Sequence, residues 1–308
     1  MLLFLTPMRN VVGSSINGFA GNFANKVGDS LGTVKMPYEK EKSSMLIDGP
    51  DFKEKVTARA YSIIFTDEVA PKGESTIDLT VAQDGSVVGW TDIYGVWKIS
   101  TQDKKKAILF NTNSASMFNY PFLKNIDFHN VDTSNVTSMR SMFYDCGITN
   151  LDLSSFDTHN VTDMSYMFNS CDNLTSINLS GFDTSSVTDM RCMFWRCNHL
   201  TNLDLSNFDT SNVTDMNYMF HECYDLTSVN LSSFNTSNVK DMSSMFESCK
   251  SLESLDLSSF NFNLYLSNLS QMFSDCGKLT KVLVQSQKEL NCLSRAPYTP
   301  SNVKFEIK

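Results

Sequence analysis

Leu151-Asp-Leu-Ser-Ser-Phe156-Asp-Thr-His-Asn-Val161-Thr-Asp-Met164-Ser-Tyr-Met167-Phe168-Asn-Ser-Cys171-Asp-Asn-Leu174 is one copy of a phrase that this chain repeats along most of its length. Its marker, Met-Phe, recurs at Met117-Phe118, Met142-Phe143, Met167-Phe168, Met193-Phe194, Met219-Phe220, Met245-Phe246 and Met272-Phe273, in steps of 25, 25, 26, 26, 26 and 27 residues. A fixed period of this size is the signature of a stacked repeat architecture. Within a copy, Leu174-Thr-Ser-Ile177-Asn-Leu179-Ser-Gly-Phe182 alternates apolar and polar residues, as a short half-buried strand does. Val161, Met164, Met167 and Phe168 follow the spacing of a helical apolar stripe. Asn160, with Asp163 three residues on, resembles a helix-capping start, and Ser186/Asp189, Asn212/Asp215 and Asn238/Asp241 repeat it.

A lone strand and helix cannot bury their apolar faces, but stacked copies can. The pattern therefore predicts an α/β repeat: a leucine-rich-repeat-like solenoid with one short strand and one short helix per coil of about 26 residues. Val131, Phe156, Phe182, Phe208, Phe234 and Phe260 would form a buried ladder at the strand ends.

Outside the repeat, Ile77–Val81 and Ser86–Trp90 flank an Asp84-Gly85 turn, so residues 56–116 read as a β-rich N-terminal cap. Residues 117–281 are the solenoid and 282–308 a C-terminal cap, with strands at Val282-Leu283-Val284 and Val303–Ile307. Residues 1–55 show no repeat and read as a separate attachment segment.

The phrase Phe208-Asp-Thr-Ser-Asn-Val-Thr-Asp-Met216-Asn-Tyr-Met219-Phe220-His-Glu-Cys223 resembles the repeat of BspA-like leucine-rich-repeat surface proteins. The likeness runs from about Ala60 to the C-terminus. It implies a surface-exposed or secreted protein engaged in adhesion or recognition. Members usually carry an export signal or wall anchor. Here Met1-Leu2-Leu3-Phe4-Leu5-Thr6-Pro7 lacks a basic lead and a long apolar core, and the end at Lys308 shows no sorting signal.

A net charge of −9 argues against nucleic acid and against anionic membrane surfaces as partners. No apolar run approaches the ~18 residues of a membrane span. Six of eight cysteines share one repeat position: Cys146, Cys171, Cys197, Cys223, Cys249 and Cys276. A ladder of buried thiols is the favoured reading, with disulfides between neighbours the alternative. No zinc-type C-x-x-C spacing is present, so no metal or cofactor is expected. The outward strand positions Asp127, Asp152, Asn178, Asp204, Asn230 and Asp256 alternate Asp with Asn from Asp152 onward, which relieves repulsion between stacked carboxylates. Asn135-Val-Thr, Asn160-Val-Thr and Asn212-Val-Thr match glycosylation sequons but fall at the expected helix caps.

Specificity must reside where the repeat varies. Arg140, Tyr144, Tyr166, His199 and Lys250 are such positions. The middle coils add Arg191, Trp195, Arg196, Tyr218, His221 and Tyr224, which are the ligand-binding candidates. Trp, Tyr and Arg dominate binding hot spots; unconstrained surface drift is the other reading of the same variation. His129, His159, His199 and His221 occupy different repeat positions, and no nucleophile arrangement, phosphate loop or H-E-x-x-H accompanies them, so no enzyme is expected.

The function expected is a non-enzymatic, cell-surface or extracellular adhesion module binding a host-surface protein or glycan, without membrane insertion. A bacteriophage virion or tail protein, docked through residues 1–55, is the second reading, and a cytoplasmic interaction scaffold the third.

Overall fold

Each copy of the phrase closes one coil, and neighbouring coils are joined by parallel backbone ladders offset by one repeat. The computed structural model describes residues 44–56, 59–262 and 268–308. Strands β8 (Asn150–Asp152), β9 (Ser176–Asn178), β10 (Asn202–Asp204), β11 (Ser228–Asn230) and β12 (Ser254–Asp256) occupy the same position in successive coils. Their central residues point inward: Leu151, Leu203 and Leu255 are buried, Ile177 and Val229 half-buried.

The strands pair two by two, β8 with β9 and β10 with β11, placing Leu151 opposite Ile177 and Leu203 opposite Val229. The Asp/Asn alternation matches this pairing. Hydrogen bonds from the serine two residues on, then from the facing Asn178 or Asn230, hold the Asp152 and Asp204 carboxyls below the usual carboxylate range.

Three Asx turns bend each coil. Asp152, Asp157 and Asp163 accept through Oδ1 from the backbone N–H groups of Ser154, His159 and Ser165 at 3.0, 3.3 and 2.9 Å. Asn178, Asp183 and Asp189 repeat the set one coil later. Short side chains that capture their own backbone favour turns, so much of the acidic composition is architectural.

The short helix expected in each coil is replaced by another structure. Met164–Cys171 form a ribbon of overlapping turns in which Tyr166 and Ser170 take left-handed φ of 59° and 60°. That reversal breaks the i→i−4 ladder of a helix. The N–H groups of Met164, Tyr166, Phe168 and Ser170 donate instead to the carbonyls of Asp189, Arg191, Met193 and Trp195 in the next coil, at 2.7–3.1 Å. Between them, Met167, Asn169 and Cys171 donate three residues back at 3.0–3.3 Å. With Ser165 bonded to Asp163, every N–H of the ribbon is satisfied. Turns that close at i→i+3 preserve the inward spacing of Met164, Met167, Phe168 and Cys171, which explains why the pattern reads as a helix.

The expected helix caps serve other ends. Asn160, Asn212 and Asn238 donate their side-chain amides to Ser134, Ser185 and Ser211 carbonyls of the preceding coil.

Side-chain ladders fill the interior. Phe118, Phe143, Phe168, Phe194, Phe220, Phe246 and Phe273 stack in one column with ring centroids 5.2–6.2 Å apart. From Cys171 onward each ladder thiol faces a carbonyl of the coil before it: Cys171 to Phe143, Cys197 to Phe168, Cys223 to Phe194, at 3.0–3.2 Å. All eight cysteines are buried, and none is in a disulfide. Buried threonines bind one coil to the next. Thr210 Oγ1 donates to the Asn235 carbonyl (3.0 Å) and accepts the Asn235 N–H (2.8 Å), and Thr158 treats Asp183 likewise.

Both ends of the stack are closed. At the N-terminal end a sheet of order β2-β3-β4-β1-β6 joins β1 (Ser62–Phe65), β2 (Ile77–Asp78), β3 (Val88–Thr91) and β4 (Trp97–Ser100) to β6 (Asn125–Phe128) of the first coil. β1 lies parallel to β6, with Phe65 opposite Phe128. Helix α1 (Gly49–Lys55) begins at the capping Asp48 and lays Phe52 against Phe65 and Phe118. Gly49 is required there, since a Cβ would lie 2.0 Å from the Ala115 carbonyl oxygen. The body thus begins ahead of the boundary expected at residue 56, because Leu46, Phe52 and Val56 are fully buried in the same core. Residues 1–43 of the expected attachment segment lie outside the described residues. At the C-terminal end β13 (Lys281–Val284) pairs with both β12 and β14 (Lys304–Ile307). Helix α2 (Gln287–Leu293) crosses between them, capped by Ser286, whose Oγ accepts the Lys288 N–H at 3.2 Å and donates to the Glu289 carboxylate.

Replacing Thr210 with Val should lower stability by about 1–3 kcal/mol, because the buried Asn235 amide loses its partner. Thr210→Ser should recover most of the loss in urea unfolding followed by circular dichroism. Burial pushes the Cys146, Cys223 and Cys276 thiols up to about 12, so thiolate is scarce at ordinary pH. Iodoacetamide at neutral pH should therefore label none of the six ladder cysteines in the folded chain and all of them in denaturant, as counted by mass spectrometry.

Candidate functional site

The turn ribbon sets where the variable residues stand. Its left-handed positions are Tyr166 and Ser170, then Cys192 and Arg196, then Tyr218 and Glu222, then Ser244 and Ser248. Each column of equivalent positions runs along the stack, so Tyr166, Cys192, Tyr218 and Ser244 are successive neighbours. So are Asn169, Trp195, His221 and Glu247 in the column beside it.

Three of the six candidates come together at this corner. The Trp195 and Tyr218 rings stack with centroids 5.5 Å apart and planes 28° from parallel. His221 closes the group, 5.5 Å from Trp195 and 5.2 Å from Tyr218. Trp195 and Tyr218, expected exposed, are half-buried because each ring covers part of the other. Trp195 Nε1 and His221 Nδ1 are buried without a hydrogen-bond partner.

The other three candidates are placed around the group. Arg196 lies between Asp172 (3.7 Å) and Glu222 (3.6 Å), one on each neighbouring coil. Tyr224 carries Lys250 over its ring at 4.2 Å. Its phenol is pushed up, first by burial and then by the Glu222 charge. Arg191 turns to the Asp ladder, 3.1 Å from Asp189 and 3.8 Å from Asp215. Those two carboxyls are raised by burial, and the stacked carboxylates beside them add to the shift.

Acidic groups outnumber basic ones here. His221 meets Glu222 and Glu247, each at 3.6 Å. Asp145 is raised by burial and by Asp172. His199 pairs with Asp225 at 2.9 Å, outside the ring group.

Sequence reasoning overlooked Cys192 and left Arg140, a variable position, out of the ligand-binding candidates. Cys192 is buried between the tyrosines, and its thiol donates to Asn217 Oδ1 at 4.0 Å; burial lifts it to about 11. Arg140 covers the Tyr166 ring at 4.7 Å and donates to Ser165 Oγ at 2.6 Å. Aligning the repeats in columns would have set Cys192 between Tyr166 and Tyr218, and Arg140 beside Tyr166. Among the described residues no group of three or more His, Cys, Asp or Glu side chains could hold a metal ion. Among them, too, no helix is long and apolar enough to cross a membrane.

The coils match the family described as "Mycoplasma protein of unknown function, DUF285" twice, over residues 112–223 and 171–288. The two matches overlap and together span residues 112–288, more than half of the 308 residues. The chain belongs to this family. It is also similar to a solved structure of a leucine-rich repeat protein from Bacteroides ovatus, at 14% identity over 88% of this chain and 96% of that one, with a TM-score of 0.22. No curated protein matches it. Family membership covers the repeat, including the corner at Trp195, while the cap before residue 112 lies outside the match.

Arg196→Ala should change stability by less than about 1 kcal/mol, since both its ion pairs are long and nearly half exposed. A thermal melt checks this and separates the corner's structural role from its role in binding.

Proposed function

We propose that the chain is a non-enzymatic recognition module, displayed at a surface, that binds a host protein or glycan through the corner formed by Trp195, Tyr218 and His221. The observation that carries this reading is the three-ring group, built at positions the repeat leaves free, with Trp195 Nε1 left without a hydrogen-bond partner. Regular positions are committed elsewhere: Phe, Met and Cys to the core, Asp and Asn to turns, Thr to links between coils. Such a corner has the composition of a binding hot spot, with flat rings ringed by charge. Arg196, Tyr224 and Arg191 border it and set the polar rim.

The test is affinity capture from host-surface extracts with the full chain and with the Trp195→Ala/Tyr218→Ala double variant. The partner retained by the wild-type chain should be lost from the variant, with its melting transition still cooperative. Equal retention by both would exclude this corner as the binding surface.

A further inference from the structure

The repeat supplies its own comparison for the Tyr218 ring. Tyr166 and Tyr218 hold the same position two coils apart, and Arg140 and Arg191 hold the same position in the coil before each. At the first pair the guanidinium covers the ring, 4.7 Å from its centre, anchored on Ser165. At the second pair it does not. Arg191 is drawn to Asp189 and Asp215, and its Nε is buried without a partner. Asn217, which stands where Ser165 stands in the earlier coil, bonds toward Asp215. Lys250 repeats the motif over Tyr224 at 4.2 Å. Among the described residues Tyr218 thus keeps the ring but not the internal cation that Tyr166, at the same repeat position, has.

The surroundings are suited to an external one. Trp195 stacks on Tyr218 and enlarges the electron-rich surface. Glu222 and Glu247 stand beside His221 at the edge of the group. The chain as a whole carries a charge of −9, which attracts a basic partner and repels an acidic one. An aromatic face beside carboxylates is the usual receptor for a guanidinium or ammonium group.

We infer that the Trp195–Tyr218 corner is a seat for a cationic side chain, and that the partner presents a basic peptide segment, with Arg the best fit. This rests on the proposed function and gives the partner's chemistry. Arginine is favoured because its planar group stacks on a ring while its N–H groups bond carboxylates, as Arg140 does with Tyr166 and a hydroxyl.

Trp195 is the reporter, since Trp90 and Trp97 are only 2% and 8% exposed. Hexa-arginine should quench its fluorescence saturably in the full chain, more strongly than hexalysine, and hexaglutamate should not. Tyr218→Leu, which keeps apolar bulk, should weaken hexa-arginine binding about tenfold, and Glu222→Gln with Glu247→Gln should flatten its salt dependence. Arg140→Ala should uncover the Tyr166 ring and raise the calorimetric stoichiometry from one site to two.

Hexa-arginine binding that is unchanged in Tyr218→Leu, with no second site in Arg140→Ala, would show diffuse charge attraction and overturn the inference. A corner-dependent partner that is captured while hexa-arginine fails to bind overturns only the cation seat. Failure of both removes the recognition reading as well.

Discussion

The hydrogen bonds that leave each coil for the next are the constraint on which the architecture depends. In an α-helix the backbone satisfies itself within one segment. In the Met164–Cys171 ribbon every second N–H points along the stack, and its acceptor belongs to the following copy. No coil can satisfy its own backbone, and none can bury its own apolar side. Stability is therefore a property of adjacency, as in other one-dimensional repeats. The ladders of Phe, Cys and Thr follow from the same geometry, because a parallel offset of one repeat sets like against like. Two end caps are then obligatory, and the chain spends the β1–β6 pairing at one end and β13–β14 at the other on that task.

Left-handed backbone at residues other than glycine costs of order 1–2 kcal/mol each, and each coil from Met142 onward contains two such residues. The coils tolerate this cost because the bonds between them fix the ribbon from both sides. The same positions are where the sequence varies most freely, with Tyr, Cys, Arg, Glu, Ser and Gln all represented. Reversed backbone turns these side chains off the buried line of Met and Phe, so one structural device supplies both a rigid frame and a place to display chemistry.

Much of the fold is legible in the sequence. The repeat, its period, its inward residues and the strand at Leu151 or Ile177 follow from spacing alone. The ribbon does not, because i→i+3 turns and a short helix place apolar residues at the same intervals; only the sign of φ separates them, and no glycine marks it. The Ser286-x-x-Glu289 spacing is a readable helix-start signal and marks α2. Of the site, the membership of Trp195, Tyr218 and His221 could be found by asking what the repeat leaves free. The diversion of Arg191 to Asp189 and Asp215 could not, since it turns on which of two acceptors lies nearer in space.

The two-by-two pairing of strands also bears on how such a chain can lengthen. Asp152 and Asp204 are 52 positions apart, and so are Asn178 and Asn230. Recombination that adds or removes 52 residues keeps Asp beside Asn in the β8–β9 and β10–β11 pairs. Loss of a single coil between them would bring Asp against Asp, or Asn against Asn, at a joint that now holds one of each. The smallest block whose insertion leaves the β8–β9 and β10–β11 pairings unchanged is then a pair of coils.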